Sequence, residues 1–452
     1  MFPAASRLEG SVVQVQKVGW GIRHETATLQ IAFNRITSTS NSVAQVHAVV
    51  AEVENARERV KNGVIYGIRS TDTPQGRITS RYKHLPTWNP YSDVGLIAFK
   101  VGFPIFPEPE IYYGPGTDLR LRLAEPLASP PMAAIAAEIP GFREDEVPSL
   151  AHLVASLPER STTTAKADAD LVNLVFLGSR EQVEAAFQAA GWNPSDAVSR
   201  HAFFLNFYAF LDDSSYARAP MRTLLIEGAP SDMNWQRNLN SYAKRDHLRM
   251  WRWKESWSGD TVWMGASTRD TSATLSLKYH GFLHHIGADL DAERAKVLRD
   301  LTIAGCVSQM DYLQRPEVPH LTQNATGDPM RTDGAVAVVR LQDCRPPVPF
   351  GHTTLSSSQF HAGSHLFRFA RRQILTFRSD IWRANVIYGS YNLGSMTVAS
   401  LRKRVHPAAP VAVADAGVTI PRRRIVAVAE TQDAGPKAAS VASQDAADMN
   451  PR

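Results

Sequence analysis

Cysteine is nearly absent from this 452-residue chain, which has two residues of the type, Cys306 and Cys344. No CxxC pair and no zinc-ligand spacing accompany them, so a zinc ribbon and a disulfide-stapled scaffold are both excluded. One bridge between the two and a pair of buried thiols fit equally well. Long apolar runs are missing too, and no window of about 18–20 such residues exists to cross a bilayer as a helix. HExxH, P-loop and GxSxG motifs do not occur, which removes the metalloprotease, nucleotide-phosphate and serine-hydrolase signatures. Lys and Arg exceed Asp and Glu by a formal +5 but are scattered. Two small clusters, Arg402 to Arg404 and Arg422 to Arg424, do not make the continuous basic stripe that tracks a phosphate backbone, so nucleic acid is not an expected partner. The opening MFPAASRLEG has neither a basic n-region nor an apolar h-region. Taken as written the chain is expected in the cytoplasm; an exported protein whose signal peptide lies upstream of this reading frame would read the same way.

The length suggests two or three cores. From Gly10 to about Ala124 the segments SVVQVQKV, TATLQIAF, AQVHAVVAEV, GVIYGI and TDLRLRLA read as strands separated by Gly, Pro, Ser and Asn. VVAEVENARERV offers a short helix, and Leu119, Leu121 and Leu123 alternate on one strand face. Residues 1–124 are thus expected to form a small β-rich module. Residues 125–168, rich in Ala, Pro, Ser and Thr, read as a linker. After it, LVNLVFLG reads as a buried strand, and SREQVEAAFQAAGW as a helix capped by Ser179. TLLIEG is a strand, NWQRNL reads as helical, and LDAERAKVLRDLTIAG is an amphipathic helix ending at Gly305. Strand patterns return in GAVAVVRL and TFRSDIWRANVIYGSY. The expected fold is α+β over 169–401, with helices on a mainly antiparallel sheet. Residues 402–452 have no apolar period and are expected to be disordered.

Four of the nine tryptophans fall within HLRMWRWKESWSGDTVWMGASTRD, residues 247–270. His247, Arg249, Trp251 and Trp253 alternate with Leu248, Met250, Arg252 and Lys254, which is a strand period. SWSGD supplies a reversal and TVWMGAS a second strand. A β-hairpin with a loop of about four to six residues follows.

NLVFLGSREQVEAAFQAAGW, HLRMWR, VWMGASTRD and HHIGADLDAERAKVLRDLTIAG, in this order, resemble the LssY-like C-terminal domain family of bacterial envelope proteins over about residues 170–370. The resemblance implies an envelope or secreted location and an accessory role. The family is often attached to DedA-like or type 2 phosphatidic-acid phosphatase membrane domains and is linked by name to type I secretion, but its own activity is not established. This chain shows no such membrane domain, so the resemblance carries no lipid-phosphatase chemistry. GTDLRLRL resembles part of the β-rich modules that precede such domains in some secreted proteins.

Within the matching motifs, His247, Asp270 and His284 are the candidate catalytic residues. Arg249, Trp251, His285, Asp291, Glu293 and Arg294 are candidates for binding. His247 and Asp270 lie at opposite ends of the hairpin sequence and become cross-strand neighbours if it closes. Asp291 and Glu293 stand where acidic side chains cap a helix. Three readings remain open. Converging His and carboxylates would suit zinc, manganese or iron. One His oriented by Asp, with Arg249 gripping an anion, would suit a hydrolase of phosphate or ester groups. An ordinary polar lattice would instead have Asp291 cap the helix, Arg249 and Arg294 pair with carboxylates, and the tryptophans fill the core. The sequence names no cofactor. The expected partner is an envelope protein or ligand.

Overall fold

The computed structural model describes residues 6–21, 24–37, 42–69, 72–74, 109–114, 117–126, 139–276 and 281–344, with short pieces at 370, 374–375, 397–398, 401 and 425–428. Among them the chain is mostly strand, with four helices and sheets that are almost wholly antiparallel.

The first sheet is built from β1 (Arg7–Gln16), β2 (Thr28–Thr37), β3 (Val43–Val53), β4 (Arg59–Lys61), β5 (Val64–Tyr66) and β6 (Leu119–Leu123). Its path runs β1-β2-β3-β6, and the β4–β5 hairpin joins through β2. Period-2 alternation decides which face is buried: in β3, Ala44, Val46, Ala48 and Val50 turn inward onto Ile31, Phe33, Ile36 and Ile65. Asn62 and Gly63, both at positive φ, make the tight β4–β5 turn. The helix expected from VVAEVENARERV does not form, because β3 continues to Val53 and the chain then turns to send Glu54 and Asn55 into buried polar bonds. Of the tail expected to be disordered, Ile425–Val428 pairs with β1; most of the rest lies outside the described residues, as does TFRSDIWRANVIYGSY.

The expected linker is corrected in its second half. Residues 147–156 form α1 (Val147–Ser156), followed by β7 (Arg160–Thr163) and β8 (Asp168–Leu171). Pro148 occupies the first helical turn, where a missing N–H costs nothing, and Leu150, Leu153 and Val154 give the helix an apolar stripe. The composition that suggested a flexible connector therefore conceals a buried face.

The central sheet uses β9 (Leu174–Leu177), β10 (Asn193–Pro194), β13 (Met233–Arg237), β14 (Arg245–Trp257), β15 (Asp260–Ser276), β16 (Gly281–Ile286), β17 (Val307–Gln314) and β20 (Ala335–Leu341). Its order is β10-β13-β14-β15-β9-β20-β17, with β16 on the far half of β15. Only the β9–β20 pair is parallel. NWQRNL is strand β13 where a helix was expected, because its partner β14 aligns Trp235 with Leu248 and buries both. Two further helices, α2 (Arg180–Ala189) and α4 (Leu290–Ile303), cover one sheet face through Val183, Phe187, Val297 and Leu301. The other face meets α1 and a small sheet of β7, β8, β11 (Leu224–Ile226) and β12 (Ala229–Pro230).

The tryptophan-rich hairpin is β14–β15, and its turn is the two-residue Ser258–Gly259 pair at positive φ, shorter than the expected loop. Trp251, Trp253 and Trp257 go to the α1 face, whereas Leu248, Met250 and Trp263 go to the α2–α4 face. At Gly265 an added Cβ would stand 3.1 Å from both Leu174 and Leu248, so bare backbone lets the two layers close there. Cys306 and Cys344 are joined as a disulfide across the ends of β17 and β20.

Candidate functional site

Hairpin register assembles the candidate cluster. Arg245 on β14 stands opposite Asp270 on β15, and His247 opposite Thr268. An irregularity between Asp270 and Ser272 precedes the pairing of Ala273 with His284 on β16. Three basic side chains therefore surround one carboxylate that is 1% exposed. Arg245 Nε donates to Asp270 Oδ2 at 2.6 Å, His284 Nδ1 lies 3.2 Å from the same oxygen, and His247 Nδ1 lies 3.4 Å from Oδ1. Two residues along the same strand face, Arg249 donates to the buried Asp170 at 2.8 Å.

Electrostatics make this a fixed charge arrangement. Burial alone would raise the Asp270 carboxyl, but His247, His284 and Arg245 outweigh it and hold it well below the usual range. Burial pushes His247 down to about 3, helped by Arg249 and Arg245 and opposed by Asp270. His284 is lowered likewise, by burial and then by Arg245. With the His247 ring neutral, the consistent assignment has Nδ1–H toward Asp270 and Nε2 accepting from the Thr268 hydroxyl at 2.6 Å. The nitrogen that a general base would offer to a substrate is thus already engaged. His284 differs: its side chain is 14% exposed, and its ring centroid lies 4.9 Å from that of Tyr242.

The structure brings His247, Asp270 and His284 together, with Arg245 rather than His247 directly opposite Asp270, and Arg249 lies beside them bonded to Asp170. The remaining candidates have other partners. Trp251 lies in the core against α1. His285 pairs with Asp328 at 2.8 Å. Asp291 accepts from Thr332 and from the Asp333 amide, while Asp289, not Asp291, caps α4 by accepting from the Ala292 amide. Arg294 forks onto Asp333. Glu293 belongs to a second buried assembly.

That second assembly ties the first sheet to the second. Lys296 bonds Asp118 and Asp300, Arg237 reaches the same two carboxylates, and Asn55 reaches Asp246. Burial raises Asp246 to about 6 despite Lys296 and Arg269, and raises Glu293 well above its usual value. Asp118, by contrast, is lowered: burial opposes the shift, but Lys296 and Arg237 dominate.

Sequence reasoning missed Arg245, Tyr242 and Asp170. Arg245 could have been found, since it continues the period of His247 and Arg249 one step back. It also passed over α3 (Arg200–Asp212), whose sequence RHAFFLNFYAFLD has apolar residues on every side and hence no amphipathic stripe. Among the described residues, no group of three or more His, Cys, Asp or Glu could hold a metal ion, and no helix is long and apolar enough to cross a membrane.

Residues 154–336 match the family model described as the LssY C-terminus. This part of the chain is similar to an LssY-like C-terminal domain, and the match begins inside α1 and ends in β20. No curated protein and no solved structure matches the chain.

Proposed function

We propose that the protein is an exported accessory protein of the bacterial cell envelope, with an N-terminal β-rich module ahead of the LssY-like domain, and that it binds a ligand or partner without turning it over. The observation that carries this reading is the enclosure of Asp270, which accepts from Arg245 and has His247 and His284 at 3.4 and 3.2 Å, while Thr268 engages the Nε2 of His247. Such a lattice holds strands β14, β15 and β16 in one geometry and leaves His247 without a free nitrogen for proton transfer. The envelope location draws support from the family match and from the Cys306–Cys344 bridge, since disulfides persist in oxidising compartments.

Purified full-length protein should release no p-nitrophenol from the phosphate or acetate ester above the buffer rate. Turnover that disappears in His284→Ala would overturn the non-catalytic reading. It would support the second one, a hydrolase in which His284, the least buried member and oriented by Asp270, does the proton transfer. Melting shifts with phosphate, zinc and manganese on wild type and His284→Ala show whether the rim takes an anion or a metal. Fractionation of the native protein with the cytosol would refute the location.

A further inference from the structure

Helix α3 is apolar nearly all the way round, the pattern of a helix covered on every side, yet one whole face of it is open. Its ends are set by Ser199, which accepts from the Ala202 amide at 3.0 Å, and by Asp213 in the left-handed region. Ala202, Ala209 and Leu211 point inward, and Phe203, Phe207 and Phe210 gather on Phe282 of β16. The outer side carries Phe203 and Phe204, 51% and 57% exposed, with Leu205 and Tyr208 beside them and Val198 at 77% just ahead of the helix.

We propose that this face docks on an anionic phospholipid bilayer, with Phe203, Phe204 and Leu205 entering the boundary between headgroups and acyl chains. Charge favours this occupant: the first turn of the helix carries Arg200 and His201, both exposed, whereas its carboxylates, Asp212 and Asp213, come only at the opposite end. Residue type favours it as well, because Phe and Leu side chains enter the headgroup boundary and Tyr settles at it. Size separates a bilayer from a second copy of the chain. A helix of 13 residues is about 20 Å long, and one face of it offers on the order of 200 Å². A standard protein interface buries roughly 800 Å² on each partner, several times more than this helix can supply. A bilayer has no such threshold, since each inserted side chain adds independently. The proposal stands on a surface separate from Asp270 and depends on the envelope reading only for where such a bilayer is met. Cytosolic fractionation would refute that reading and leave the lipid result standing.

The test is co-flotation of the full-length protein with vesicles of phosphatidylcholine alone and of phosphatidylcholine with phosphatidylglycerol. Binding is expected on the anionic vesicles and is expected to weaken with salt. The double variant Phe203→Ser/Phe204→Ser should lose about tenfold or more of it, and Arg200→Glu should lose the preference for anionic lipid. These side chains are exposed, so unchanged melting curves will show that the variants fold. Flotation with neither vesicle type overturns the proposal. A sedimentation-detected dimer that the double variant abolishes assigns the face to a second copy and overturns it also. The chain's two cysteines are bonded to each other, so Phe204→Cys introduces a lone thiol. If that thiol resists maleimide in dilute, lipid-free protein, another segment of the chain covers the face and the bilayer is excluded.

Discussion

The Asn55 side-chain amide donates to the Asp246 carboxylate at 2.8 Å, and both residues are buried, although Asn55 lies in the turn after β3, Asp246 lies on β14, and they stand 191 positions apart in sequence. The first sheet is thereby fastened to the root of the tryptophan hairpin, beside Lys296 and Asp118. Replacing Asn55 by Ala should cost about 1–3 kcal/mol, the usual consequence of leaving a buried acceptor without its donor. A double-mutant cycle with Asp246→Asn, read by urea unfolding, should return a clear coupling energy; additivity would mean that the bond contributes nothing.

Trp251 is 2% exposed and packs among Leu150, Val175 and Met264. Trp251→Ala should lower stability by about 3–5 kcal/mol, as truncation of a buried large aromatic does. Chemical denaturation provides the measure, and a loss under 1 kcal/mol, roughly a surface-site effect, would deny Trp251 its place in this core.

His247 gives the acid response its sign. Its folded value, near 3, lies below the free value of 6.5, so its contribution to stability is fully present above pH 6.5 and is lost as the pH falls toward 3. The loss from this residue alone should be about 2 kcal/mol at about pH 5, and His284 shifts the same way. Melting temperatures of His247→Gln should therefore fall less between pH 7 and pH 5 than those of wild type. Parallel curves would show that His247 titrates as an exposed residue does.

The hairpin and the nearness of His247 to Asp270 were legible in the sequence because both follow from one rule, the period of two along an antiparallel pair, whereas Arg245 opposite Asp270 was passed over and His284 arrives from β16. His247, Arg249 and Trp251 share a face for that reason, and closing the turn sets Asp270 beside Arg245. What was not legible has its own physical cause. Residues 125–168 have a linker's composition, but the spacing of Leu150, Leu153 and Val154 outweighs it once a sheet face is there to receive them. Helix α3 offered no stripe to detect, since Ala202, Leu205 and Ala209 complete an apolar circumference with its aromatics. The Lys296–Asp118–Asp300 assembly draws on elements far apart in sequence, and no local pattern reveals such a meeting.

Cys306 and Cys344 close a loop across 38 positions. On the chain-entropy account that bridge is worth up to about 4 kcal/mol. Unfolded protein should yield thiol to Ellman's reagent only after reduction, and the Cys306→Ser/Cys344→Ser variant should unfold at lower urea. Free thiol in the unreduced protein would show that the bridge does not form.

Strand β15 has three neighbours, since β14 pairs with it from Asp260 to Asp270, β9 flanks Val262 to Gly265 on its other edge and β16 takes over from Asp270. A single inserted residue near Met264 would turn every later side chain of the strand to the opposite face. Asp270 would leave Arg245 and both histidines, and the apolar layer meant for one set of helices would face the other. Length changes in this domain are therefore tolerable in its turns and intolerable here, so β15 is the stretch in which a reading-frame-preserving insertion or deletion would be purged first.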